Sequence, residues 1–142
     1  MKQQHIFKII IGIIPLSLFP TTSASAIDVC KGGNRAERKV TCVYDGDTGW
    51  ENGVKWRTLG IDTPEINSSA SCGRENRLGH QSRDRLIQLM NQGYQIRWSG
   101  NSGGAGRQLV DVLTLDGRNT ADILKSEGLA QNWPNNGNIW CN

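Results

Sequence analysis

Val43 to Glu65, VYDGDTGWENGVKWRTLGIDTPE, is the stretch on which the reading of this 142-residue chain turns. Two strand-forming runs, Thr48 to Glu51 and Val54 to Ile61, flank Asn52-Gly53, the strongest short-range signal for a β-hairpin. Pro64 ends the second run and biases Thr63 towards an extended backbone. Such a hairpin brings its ends together, so Asp47 before it and Asp62 at its close can face one hard cation. Calcium takes about six to eight oxygens at flexible angles, from carboxylates, backbone carbonyls and water. The carbonyl of Thr63 is a candidate third protein ligand. Glu65, just past Asp62, is suited to accept a proton from an attacking water. Arg57 falls in an otherwise apolar strand, where a half-buried guanidinium needs an acceptor. A bound phosphate would supply one, and an internal ion pair to Asp62 or Glu65 is the other reading. Asp45 reads as a turn-former or cap.

Beyond this stretch, Arg107 follows a glycine-rich loop, Gly100 to Gly106, and begins a strand that can carry it to the same patch. Two arginines, one cation and one carboxylate base suffice for phosphoryl chemistry, which needs positive charge where the phosphoryl oxygens gain negative charge. Two other motif readings fail on spacing. An EF-hand beginning at Asp45 would need a bidentate Glu at its twelfth position, where Trp56 stands. The aspartate-nucleophile motif of haloacid-dehalogenase-type phosphatases would need Thr or Val where Gly49 stands, and a longer chain.

Residues 1 to 26 form a leader pattern: Lys2 and Lys8, an apolar run from Ile9 to Phe19, then Ala24-Ser25-Ala26 as a small-x-small cleavage site. Residues 27 to 142 are expected to be a single domain with one modest core. Without Lys2 and Lys8, 14 basic residues face 13 acidic ones, a net charge of +1. That excludes a protein that coats nucleic acid by bulk charge, while leaving room for a local basic patch. Cys30, Cys42, Cys72 and Cys141 contain no C-x-x-C pair, so they read as two disulfides in an oxidising compartment and not as a zinc site. Three pairings are possible.

Along the chain, Ile27 to Arg38 is a polar arm held by Cys30, and Lys39 to Tyr44 is a first strand. A loop from Ile66 to Asn76 leads into a helix over Leu78 to Met90, with Leu78, Ser82, Leu86, Leu89 and Met90 on one face and Gly93 as its stop. Strands follow at Tyr94 to Ser99 and Leu109 to Leu115, then a short helix from Ala121 to Glu127 capped by Thr120 and closed by Gly128. The tail from Ala130 shows no element. Five strands, with a helix between the third and fourth and a second short helix after the fifth, predict an α+β fold, a five-stranded Greek-key barrel of the OB type.

Asp45-Gly46-Asp47-Thr48, then W-R-T-L-G-I-D-T-P-E from Trp56 to Glu65, then Gly106-Arg107 and Gly128-Leu129-Ala130, resemble the staphylococcal nuclease (thermonuclease) family. The resemblance runs from about Lys39 to Ala130. It implies an OB barrel with helices and Ca²⁺-dependent hydrolysis of DNA and RNA phosphodiesters that leaves 3′-phosphates. It also implies Asp47, Asp62 and Thr63 as metal ligands, with Asp45 behind them. Glu65 would be the general base, and Arg57 and Arg107 would bind the scissile phosphate. The chain departs from the family at Gly104-Ala105, where the prototype has a basic residue and a tyrosine. It departs again at Gln131 to Pro134, where the prototype has nucleotide-contacting tyrosines. Trp133 is the candidate replacement for base stacking. The prototype's third helix is absent, and some exported relatives end in a similar Trp-Cys.

The expected protein is thus a secreted or periplasmic, monomeric nuclease of low sequence specificity, with nucleic acid as substrate and calcium as cofactor. The alternatives are a non-catalytic OB-fold nucleic-acid-binding module and a disulfide-stapled structural domain.

Overall fold

The computed structural model describes residues 25–142. All but the last two residues of the leader pattern lie outside them. The fold is mixed α+β, with strands β1 (Cys42–Val43), β2 (Thr48–Glu51), β3 (Val54–Thr58), β4 (Ile61–Asp62), β5 (Tyr94–Ser102), β6 (Gln108–Thr114) and β7 (Gln131–Asn132). Helix α1 (Gly73–Asn91) lies between β4 and β5, and α2 (Thr120–Ser126) follows β6. Five strands form a mostly open sheet in the order β1-β2-β3-β6-β5, with β3 and β6 parallel. β4 and β7 make a separate antiparallel pair.

The Asn52-Gly53 turn forms as the dipeptide requires, with φ of 47° and 82°, both left-handed as in a type I′ hairpin. The register sets Trp50 opposite Lys55 and Thr48 opposite Arg57. Trp56 and Thr58 therefore point inward while Lys55 and Arg57 share the other face. The inward side packs Val43, Trp56, Val110 and Val112 against Leu86 and Met90 of α1. A second cluster of Ile61, Ala121, Leu124 and Ala130 seats α2 and the last turn before the tail.

Several boundaries differ from those read in the sequence. The strand predicted over Lys39 to Tyr44 shrinks to Cys42–Val43, the two residues in register with β2, while the Tyr44 N–H bonds to the Thr48 carbonyl only where the chain turns. The run Val54 to Ile61 splits at Leu59-Gly60, where the Leu59 N–H turns to the Val110 carbonyl and the Gly60 carbonyl accepts from Trp133. Helix α1 starts at Gly73, well before Leu78, with Cys72 as its cap: the Cys72 sulfur accepts from the Glu75 N–H at 3.4 Å. Its first turn lacks an apolar face, so periodicity could not find it. Of the predicted face, Ser82, Leu86, Leu89 and Met90 are buried and Leu78 is only partly so. The cap of α2 is Asn119, whose side chain accepts from the Ala121 N–H, and not Thr120, which is buried inside the helix. β5 runs on into the glycine-rich segment as far as Ser102.

The four cysteines pair as Cys30–Cys42 and Cys72–Cys141, leaving none for a metal. The first bridge ties the polar arm to β1. The second ties the tail to the start of α1. Two disulfides fit an oxidising compartment. Among the described residues no helix is long and apolar enough to cross a membrane.

Candidate active site

Three segments meet beneath the β2–β3 hairpin: the Asp45-Gly46-Asp47 turn, the strand pair ending in Asp62, and the first turns of α1. Glycine makes both close approaches possible. A Cβ on Gly46 would overlap the Ser82 side chain and meet the Thr63 methyl at 2.9 Å. A Cβ on Gly79 would lie 2.5 Å from the Glu65 carbonyl and 2.7 Å from that of Pro64. Backbone cannot yield as a flexible side chain can. Gly79→Ala is therefore expected to lower stability by about 1–3 kcal/mol through overpacking, despite the better helix propensity of alanine. Thermal unfolding checks this, and a stabilised variant would contradict the packing.

Asp47 sits at the centre, 3% exposed. Its Oδ1 accepts from the Thr48 hydroxyl at 2.9 Å and from Arg57 at 3.1 Å, and its Oδ2 accepts from the Thr63 N–H at 3.1 Å. The other terminal nitrogen of Arg57 donates to Asp62 Oδ1 and to the Ile61 carbonyl, both at 3.3 Å. One guanidinium thus holds Asp47 and Asp62 side by side. The internal ion pair considered from the sequence forms with Asp62 and with Asp47, and not with Glu65. These bonds use three of the five N–H groups of Arg57 and leave two for an anion.

The acids outnumber their counter-charge. Burial first, then the neighbouring Asp47 and Glu65 charges, pushes Asp45 up to about 7. Burial also raises Asp47 above the usual carboxylate range, although Arg57 opposes it. Glu65 is raised by partial burial and then by the Asp47 and Asp62 charges. Asp45 also accepts from the Asp47 N–H at 3.1 Å, which shapes the turn.

Among the described residues no group of three or more His, Cys, Asp or Glu side chains is arranged to hold a metal ion. The set on offer is smaller, two carboxylates converging on one guanidinium with uncompensated negative charge around them. Asp47 and Asp62 offer oxygen ligands of the kind a hard cation takes, and each already accepts a hydrogen bond from Arg57. Thr63 contributes here through its N–H to Asp47.

Arg107 is brought in by the β3–β6 pairing and the turn at Gly104–Gly106, where its Nε donates to the Gly104 carbonyl at 2.9 Å. A cavity of about 590 Å³ is lined by Arg57, Asp62, Glu65, Arg107 and Trp133. The Trp133 ring is 55% exposed, with the Arg57 guanidinium 5.8 Å from its centroid. A second cavity of about 400 Å³ again includes Arg57, Glu65 and Arg107. The structure therefore brings the sequence-selected residues into one region.

Four positioning residues lie outside the motifs read in the sequence. Gln131 and Asn135 donate to Asp62 Oδ2 at 3.2 and 3.0 Å. Glu75, 2% exposed, accepts from the Glu65 N–H at 3.2 Å, the Ser71 N–H at 2.7 Å and the Asn138 amide at 2.8 Å. The tail, where the sequence shows no element, forms β7 and supplies bonds to both Asp62 and Glu75. Only one sequence signal pointed there, the density of asparagines between Asn132 and Asn142.

Burial alone would raise Glu75, but the N–H groups of Ser71 and Glu65 and the Asn138 amide outweigh it, and its carboxyl sits below its ordinary value. A carboxylate depressed in the folded state stabilises above its unfolded pKa, and that contribution fades as pH falls through the lower, folded value. Glu75→Gln is expected to flatten the acid limb of the stability curve below about pH 5 and to cost about 1–3 kcal/mol at neutral pH. Urea unfolding from pH 3 to 7 checks this; parallel curves for the two proteins would rule it out.

Compared with models of known protein families and with curated proteins, the chain matches none.

Proposed function

We propose that this chain is a calcium-dependent phosphodiesterase that hydrolyses DNA, RNA or both with low sequence specificity and leaves 3′-phosphate ends. It would act as an exported monomer, secreted or periplasmic, with an OB-type barrel as its scaffold. The sheet order β1-β2-β3-β6-β5, with a helix between its third and fourth strands in the chain, supports the barrel reading. The observation that carries the function is that Arg57, Glu65 and Arg107 line the same two cavities, beside Asp47 and Asp62.

Arg57, held in place by both aspartates, offers its free N–H groups to a phosphate, and Arg107 offers a second guanidinium to the same group. Glu65 takes a proton from the water that attacks phosphorus, and the 5′-oxygen departs in line. The surroundings that raise Glu65 make it a stronger base than a solvated glutamate. Asp47 and Asp62, with the Thr63 carbonyl, would hold calcium, which when bound supplies positive charge against the charge building on the phosphoryl oxygens. Trp133 would stack against a base.

One observation favours the second reading, a non-catalytic nucleic-acid-binding barrel: Arg57 already pairs with both Asp47 and Asp62 where a cation would sit. Cleavage of a single-stranded oligonucleotide in calcium and in EDTA separates the two. The enzyme reading expects cleavage in calcium only, a loss of about 10²–10⁴-fold in Glu65→Gln, and an unfolding midpoint that rises with calcium. No cleavage in any divalent metal would leave the binding module standing.

A further inference from the structure

Outside the cluster of acids and arginines described above, the outer face of the β2–β3 hairpin carries an unassigned group of aromatic and basic side chains. The Arg35 guanidinium lies 4.8 Å from the centroid of a Trp50 ring, and the Lys55 ammonium 5.1 Å from it, both within cation–π range. Tyr44, 41% exposed, meets Trp50 edge to face, with centroids 6.4 Å apart and planes at 71°. Trp50 thus has its surroundings filled by cations and braces Tyr44, which keeps open ring surface.

The charge here is unspent. Among the described residues neither Arg35 nor Lys55 forms an ion pair. Arg35 Nε is buried without a hydrogen-bond partner. The arm bearing Arg35 is held against the hairpin by the Cys30–Cys42 bridge and by two hydrogen bonds, Gly53 N–H to the Val40 carbonyl and Asn52 N–H to the Thr41 hydroxyl, both at 2.9 Å. Arg35 is a placed cation and not a trailing one.

Position ties this group to the proposed site. Arg35, Tyr44, Trp50 and Lys55 line the cavity that also holds Arg57, Glu65 and Arg107. Lys55 and Arg57 are two residues apart on one strand face, about 6.6 Å, close to the step between successive phosphates of an extended strand. Trp133 lines the other cavity. The phosphate-binding arginines are therefore flanked on two sides by an aromatic surface.

We propose that Tyr44, braced by Trp50 and flanked by Arg35 and Lys55, is a second nucleotide subsite, which binds the base and phosphate adjacent to the cleaved bond of a single-stranded polynucleotide. Tyr44 stacks the base without regard to its identity, and Lys55 and Arg35 take the phosphate. The inference rests on the proposed function for the class of substrate, and on its own residues for the subsite.

The test is equilibrium binding of a labelled decathymidylate and of an abasic strand of equal length, both in EDTA so that no cleavage intervenes. Tyr44→Ala is expected to weaken the thymidylate about tenfold and to leave the abasic strand unaffected. Lys55→Ala and Arg35→Ala should weaken both strands and each lower the salt slope by about 0.7. Arg118→Ala, whose guanidinium pairs with Asp116 away from this cavity, serves as the charge-matched control. All variants sit on exposed or half-buried positions, and thermal unfolding verifies that each is folded. The subsite is refuted by Tyr44 and Lys55 variants that bind as the control does, or by an abasic strand bound as tightly as thymidylate, which would mark a general polyanion patch. Cleavage in calcium with these variants unaffected would leave the catalytic reading intact and remove the subsite. Weakened binding in a protein that cleaves nothing would do the reverse.

Discussion

Arg57→Ala is expected, on the proposed mechanism, to reduce cleavage by about 10³-fold or more, because it removes a guanidinium that would face charge building in the transition state. The same substitution should lower the stability of the calcium-free protein by about 3–5 kcal/mol, the cost of leaving a buried charge without its partner. Asp47 is the reason for the second effect. It is almost fully buried, and the Arg57 contact at 3.1 Å is the cationic one among its hydrogen bonds. The two effects separate in a double variant. Arg57→Ala with Asp47→Asn should recover much of the stability and none of the activity. If calcium binds as proposed, it should stabilise Arg57→Ala more than the parent protein, since a cation at Asp47 and Asp62 would replace the missing charge. Arg57→Lys keeps the charge but cannot span both aspartates as the planar fork does, so it should retain stability better than cleavage. Activity within tenfold of the parent in Arg57→Ala would remove Arg57 from the phosphate site.

Loss of the Cys72–Cys141 bridge is the second large effect. It closes a loop with a sequence separation of 69, against 12 for Cys30–Cys42. On the chain-entropy account these are worth roughly 4 and roughly 3 kcal/mol. Cys72→Ser with Cys141→Ser should therefore lower the urea midpoint more than the matching change at Cys30 and Cys42. It should also reach the site. The bridged tail carries Asn138 to Glu75, and Gln131 and Asn135 to Asp62. Arg74 adds bonds to the carbonyls of Trp140 at 3.3 Å and Asn142 at 3.1 Å, and Trp140 is itself buried. Freed, the tail ceases to orient Asp62, and half-maximal cleavage should need more calcium. An unchanged calcium requirement with a lowered midpoint would make the bridge purely structural.

Much of the scaffold was legible because its signals are local. Asn52-Gly53 enforces left-handed backbone at two successive residues, and a hairpin is the structure that uses it. Leu86, Leu89 and Met90 share a helix face whatever the rest of the chain does, and that face is buried. The acids and Arg57 lie within one short stretch, so the hairpin alone nearly assembles them. A local pattern misleads where it lacks a partner. Lys39 to Tyr44 alternates like a strand, yet only Cys42 and Val43 are in register with β2. The first turn of α1 is polar because Glu75 is buried by hydrogen bonds and not by apolar contact, so no periodicity reveals it.

What depended on the folded chain is everything that joins distant segments. The cysteine pairing was one of three until Cys30 met Cys42 and Cys72 met Cys141. Arg107 reaches the site because β6 runs parallel to β3, a pairing between segments some 50 residues apart that no turn residue announces. Asp62 and Glu75 are held by amides 63 to 73 positions away. Residue types and their spacing along Val43 to Glu65 point by themselves to the proposed chemistry, because each turn and strand there is set by its own neighbours. The bridge that clamps the tail, the approach of Arg107 to Arg57 and the docking of Arg35 on Trp50 arise from long-range packing, whose free energy is shared among contacts that no single segment contains.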